Sequence, residues 1–277
     1  MTGAMEKRMT GISQLLSSLA SNGDGSAVVV PPDWLQGRTT FGGLTAALSL
    51  AAAYRKLGAL PPLRSAQFAF TGPVEGEVQL STDVLRQGRS SAYVGVDASA
   101  GGKHAARSLL LFSAGRPSAH RHVPGDMPSV PPPDACPDFF DSPHAPQFAA
   151  HFEARLAHGS SLVSGASEPS YHVWVRHRDD DAADAPPATR LVALADALPP
   201  PVLALANEPA PVSTMTWSVD IVVPDDAGTG LLDGRGWHLL GSAAEAIADG
   251  YSAQAMHIWR PDGTRILSGH QVVAAFF

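Results

Sequence analysis

The apolar positions of this chain fall into two rounds of one pattern. A short run around residues 26–30, "AVVV", reads as a strand and leads into the turn-rich "PDWLQGRTTFGG". "LTAALSLAAAYRKLG" follows, apolar on nearly every side, as a helix covered all round must be. Four runs with strand-like alternation come next: "RSAQFAFT", "GEVQLSTDVLR", "SSAYVGVDAS" and "KHAARSLLLFSA", divided by Gly and Pro turns. After a proline-rich interval the order returns. "YHVWVRH" reads as a strand and "ATRLVALADAL" as a helix. "PVSTMTWSVDIVV", "GWHLLGSAAEAIA", "YSAQAMHIWR" and "TRILSGHQVVAAFF" read as four strands, with "RPDGT" as a hairpin turn between the last two. A small echo, "LRQGRSS" against "IADGYSA", falls at matching places.

This organisation predicts two β-α-β-β-β-β units in an α+β fold. Residues 1–22 form an N-terminal helix or tail, 23–115 the first unit, 116–169 a proline-rich connector and 170–277 the second unit. The connector is expected to carry a short helix over "QFAAHFEARLAHG". One helix followed by an antiparallel meander suits a sheet curled around a central helix, the hotdog fold, and two in tandem make a double hotdog. Periodicity alone is shared with other α+β folds.

Composition narrows the partners. The 277 residues are 44% hydrophobic and 16% charged, enough to bury a sizeable core, and the net charge of -7 argues against nucleic-acid binding. A single cysteine, Cys136, makes no internal disulfide and no cysteine-based metal cage. His120, His122, His144, His151 and His158 in or beside the connector match no common zinc spacing, so no metal and no cofactor are expected. No apolar run reaches the ~18 residues of a spanning helix. The N-terminal stretch reads as amphipathic rather than as a signal peptide, and a cytoplasmic setting is expected.

One residue breaks the apolar pattern of the second helix. Asp196 in "LVALADALPP" stands among Leu, Val and Ala, where a carboxylate is costly to bury without hydrogen-bond partners. On pattern alone it reads as a helix-end cap or a solvated helix face ahead of Pro199–Pro201.

The pieces "DWLQGRTTFGG", "VLRQGRSSAYVGVDA", "VWVR", "LADALPP", "STMTWSVDIVV" and "DGYSAQAMHIWRPDGTRILSGHQ", in this order and spacing, resemble the TesB-like family of double-hotdog acyl-CoA thioesterases. The resemblance implies hydrolysis of a fatty or other acyl-CoA to free acid and CoA by an activated water. It carries the family's Asp, hydroxyl and Gln onto Asp196, Thr214 and Gln271. Ser213 and Thr216 stay open as alternatives to Thr214, because simple alternation puts Thr214 and Thr216 on a polar face opposite Trp217. Gly42 and Gly43 are candidates for backbone donors to an oxyanion. Phe41, Gly42, Gly43, Gly250 and Tyr251 are the expected substrate-binding residues. The acyl chain would enter an apolar channel along the helices, with the pantetheine arm in a groove between the halves.

The sequence departs from the family at Leu44, where many relatives carry Gln. Leu109 aligns with Gln271 and the first helix has no carboxylate, so one working site per chain is expected, with acyl-CoA as partner and a dimer or tetramer as assembly. A non-catalytic acyl-CoA-binding protein on the same fold is the alternative. A hydratase ranks last, since its only nearby histidine, His270, should point away from Gln271.

Overall fold

The computed structural model describes residues 9–277 apart from 24, 124, 143–144, 180–184, 187, 222 and 224–233. His144 and the penultimate residue of the predicted strand 211–223 therefore lie outside the described residues.

The chain opens with α1 (Ile12–Ser17), β1 (Ala20–Asn22) and β2 (Gly25–Val29), then a two-residue hairpin of β3 (Leu35–Gln36) and β4 (Thr39–Thr40). Helix α2 (Gly42–Leu57) follows, then β5 (Leu63–Phe70), β6 (Glu77–Gln87), β7 (Ser91–Ala100) and β8 (Lys103–Ser113). Strand β9 (Phe152–Gly159) lies within the predicted connector, and beyond it come β10 (Ser170–His177), α3 (Thr189–Ala195), β11 (Val212–Asp220), β12 (His238–Ala248), β13 (Tyr251–Trp259) and β14 (Arg265–Ala275). Apart from β3 and β4, these strands join in a single sheet in the order β1-β2-β6-β7-β8-β5-β11-β14-β13-β12-β10-β9. The two halves meet where β5 pairs antiparallel with β11, Gln67 opposite Ser218.

The helices lie on the inner side of this sheet. From Gly43 to Ala53 every residue of α2 is buried, which is why its sequence shows no polar stripe. Helix α3 is buried along its whole length. Gly43 makes their close approach possible, since a Cβ there would stand 2.6 Å from the Ala193 carbonyl oxygen and 2.6 Å from the Phe41 ring. Helix α1 closes the same core with Ile12, Leu15 and Leu16. On the opposite face of the sheet, the connector covers Trp174 and Trp259, whose indole nitrogens donate to Pro131 O and Asp126 Oδ1 at 2.8 and 3.0 Å.

Two sequence expectations fail here for local reasons. The helix expected over residues 147–159 is a 3-10 turn, Gln147–His151, followed by strand β9. Phe152 and Ala154 face the core, while Glu153 and Arg155 form an ion pair on the other side, so the segment alternates with period two and extends the sheet edge along β10. Leu109 does not hold the place of Gln271. Its side chain is 38% exposed, on the outer face of the sheet. The hairpins β7–β8 and β13–β14 begin with the pairs Ser91–Ser113 and Tyr251–Ala274. Three residues further in lie Val94–Leu110 and Gln254–Gln271, all four buried. The true counterpart is therefore Leu110. Turns of different length displaced the alignment, because β7 starts three residues after Gly88 whereas β13 starts directly after Gly250.

Candidate active site

Asp196 takes the C-cap position of α3, just before the chain turns through Pro199–Pro201. As a cap it is ordinary; its neighbours are not. Gln271 on β14 donates from Nε2 to Asp196 Oδ1 at 2.6 Å. The backbone N–H of Gly43, at the start of α2, donates to the same carboxylate. A Cβ on Gly42 would lie 2.7 Å from Asp196 Oδ2, so only glycine leaves room for the carboxylate at this helix start. Three elements remote in sequence thus hold one acid.

Burial pushes the Asp196 carboxyl up to about 7, against the downward pull of the Gln271 and Gly43 hydrogen bonds. The group keeps partial solvent access on one side only, where it lines a cleft of about 760 Å³. A carboxyl balanced near neutrality in a concave, partly apolar site can both take and return a proton in one cycle. Tyr171, fully buried nearby, donates through its hydroxyl to Pro199 O and so fixes the turn that follows Asp196.

The cleft runs between the halves. Gly42, Thr45, Phe70 and the segment Thr71–Glu75 of the first half face Pro200 and Pro211–Met215 of the second. Thr214 lines it, and a backbone irregularity explains how. The pairing of β11 with β14 slips between Thr214 and Thr216, leaving Met215 as the extra residue of a bulge. Thr216 consequently pairs with outward-facing Val272, 40% exposed, and Thr214 with fully buried Val273. Thr214 therefore shares the inner face with Trp217 and Gln271, contrary to simple alternation, and Thr216 is not among the cleft residues. Ser213 also lines the cleft. The Thr214 hydroxyl makes no direct hydrogen bond to Asp196 or Gln271.

The remaining sequence candidates have other places. Phe41 is a core residue stacked on Phe148 at 4.1 Å and does not line the cleft. Gly250 forms the turn between β12 and β13 with φ of 77°, and Tyr251 is half-exposed beside it; the cleft is lined without either. Leu44 is fully buried and faces the core. His270 points outward, 3.6 Å from Glu245. Two features went unnoticed in the sequence. Gln254, directly opposite Gln271, donates from Nε2 to its Oε1 at 2.7 Å. Arg38, exposed, contributes the cleft's cation. The signal for Gln254 was present, as one amide on the alternating buried face of β13 between Ser252 and Met256, but its partner was visible only across strands.

The sheet wrapped around its helices in two like halves defines a double-hotdog protein, and the comparisons with known proteins agree on that fold. Residues 30–113 match the model of an acyl-CoA thioesterase N-terminal domain, and residues 124–275 match that of an acyl-CoA thioesterase C-terminal domain. The chain belongs to this acyl-CoA thioesterase family. Among solved structures it resembles a hot dog fold protein from Alicyclobacillus acidocaldarius at 24% identity and TM-score 0.84, over 97% of this chain and 99% of that one. It also resembles a tesB protein of Mycobacterium avium subs paratuberculosis, at 16% identity and TM-score 0.77 over 96% and 100% of the chains. An acyl-CoA thioesterase II from Mycobacterium marinum follows, at 17% identity and TM-score 0.71 over 96% and 98%. No curated protein matches the sequence. No described helix is long and apolar enough to cross a membrane.

Proposed function

We propose that this protein hydrolyses acyl-CoA thioesters, with Asp196 as the base that activates water. The observation that carries this reading is the Asp196 carboxylate itself, raised to about 7 and clamped by Gln271 and Gly43 at the wall of a cleft between the halves. A water between Asp196 and Thr214 attacks the thioester carbonyl carbon while the carboxylate takes its proton. Thr214 accepts or donates to that water from the opposite wall. The carbonyl oxygen becomes an oxyanion, and the Gly42 N–H, which serves no carbonyl within α2, is the donor available to it at the helix start. Gly43 N–H is spent on Asp196, so the glycine pair divides its work. As the tetrahedral intermediate collapses, the C–S bond breaks and the proton held by Asp196 passes to the CoA sulfur, leaving free acid and CoA. Arg38 offers a positive charge to the anionic coenzyme handle.

The test is a panel of acyl-CoAs incubated with purified protein and a thiol-detecting dye. Release of CoA that disappears in Asp196→Asn supports hydrolysis. Tight binding of acyl-CoA without thiol release sinks it in favour of a binding protein.

A further inference from the structure

Gln271 can offer either end of its amide to Asp196, and only one end serves. An ionised carboxylate accepts hydrogen bonds and donates none, so Gln271 must present Nε2 and turn Oε1 away. In the structure the far end is held, because Gln254 Nε2 donates to Gln271 Oε1 at 2.7 Å. The donors run one way, from Gln254 through Gln271 to Asp196. We infer that Gln254 is a positioning residue of this site, its amide selecting which end of Gln271 meets Asp196. The inference rests on the reading of Asp196 as the base.

Three observations support it. Gln254 is 2% exposed and does not line the cleft, so it reaches the chemistry only through Gln271. Its own Oε1 is buried without a partner, as is the Oγ of Ser252 two residues earlier on the same face. The amide is therefore not kept for a bond at its other end, and an unpaired buried acceptor is a standing cost to stability. In the first half, Val94 and Leu110 fill the same two places and leave no polar atom to satisfy. A glutamine pair retained against that penalty, in the half that carries the carboxylate, points to the site rather than to stability.

The test follows the Asp196 carboxyl by ¹³C NMR, assigned through Asp196→Asn, across a pH titration. The proteins are the unaltered chain, Gln254→Met, Gln271→Met and the double variant. Gln254→Met keeps the length and removes the donor. The midpoint is expected to rise by about half a unit to one unit in Gln254→Met, as the carboxylate loses an aligned donor, and to be the same in the double variant as in Gln271→Met alone. In steady state with an acyl-CoA, Gln254→Met should lower kcat by about tenfold with KM within about twofold, and should change neither once Gln271 is Met. A glutamine that merely packs would leave the midpoint in place and lower activity equally in both backgrounds, and that result overturns the inference. If the unaltered protein releases no CoA, the hydrolase reading fails alone, and the NMR midpoints still decide the role of Gln254. Should Gln254→Met not fold, Gln254→Val, which copies the first half, replaces it.

Discussion

The two hairpins β7–β8 and β13–β14 are the same piece of architecture put to different uses. At one matched pair of positions the first carries Val94 and Leu110, and the second carries Gln254 and Gln271. Both pairs are buried on the inner face. The helices differ in the same direction. Helix α2 spans 16 residues without a carboxylate, while α3 stops after 7 at Asp196. One half thus spends its interior on apolar contact, and the other gives part of it to groups that are costly to desolvate. The shared sheet allows this division, because the apolar half stabilises a structure that can carry a polar fault in the other half. Neither half makes the site alone, since Gly42 and Gly43 come from the first and Asp196, Thr214 and Gln271 from the second.

The comparison breaks most sharply at the carboxylate. Asp196→Asn should lower kcat by on the order of a thousandfold, measured by CoA release, because the base is gone and the shape is kept. In the unaltered protein kcat should climb with pH through about 7 as the carboxyl ionises. Stability should move the opposite way. The folded-state value lies above the ordinary carboxylate value, so the folded protein holds a proton that the unfolded chain releases. The protein should therefore lose stability as pH rises from about 4 to about 7, and Asp196→Asn should lose less. Thermal melts of both across that range check the sign.

Next comes conversion of the second half into a copy of the first. Gln254→Val with Gln271→Leu should cut kcat by roughly a hundredfold while unfolding free energy stays within about 1–2 kcal/mol, since apolar packing in place of two desolvated amides offsets the hydrogen bond that Asp196 loses. Denaturant titration beside the CoA assay reads both. A fall of several kcal/mol would mean that the amides hold the fold.

The bulge gives a smaller contrast. Thr214→Val should lower kcat by about tenfold, whereas Thr216→Val, one step beyond Met215 and outside the cleft, should leave it within about twofold. Equal losses would place the hydroxyl on the other face. The smallest effect is expected at Arg38→Ala, a rise in KM of roughly threefold that shrinks as salt is raised, with kcat unchanged.

Much of this was legible in the chain. The long strands showed themselves by period and α2 by its unbroken apolar run; their repetition gave two β-α-β-β-β-β units, which the family resemblance made a double hotdog. Asp196 stood out as the lone acid in an apolar helix. What misled was local in each case. The segment 147–159 has too few residues for its period to separate helix from strand, and hydrogen bonding to β10 decided the matter. Simple alternation puts Thr214 opposite Trp217 because it assumes an even ladder, and the bulge at Met215 reverses the parity. Aligning the chain puts Leu109 instead of Leu110 at the place of Gln271, because turn lengths differ between the halves.

Taken alone, the order of apolar and polar residues determined the long strands of both units, which helix is buried all round, and which side chains are able to do acid–base chemistry. Those are properties of near neighbours along the chain, set by periodicity and residue type. Only the folded sheet decided that residues 43, 196 and 271 share one carboxylate, that Thr214 turns inward, and that Gln254 stands behind Gln271. Such meetings depend on strand register and turn length, where a shift of one residue turns a side chain to the other face, and no count along the sequence carries that information.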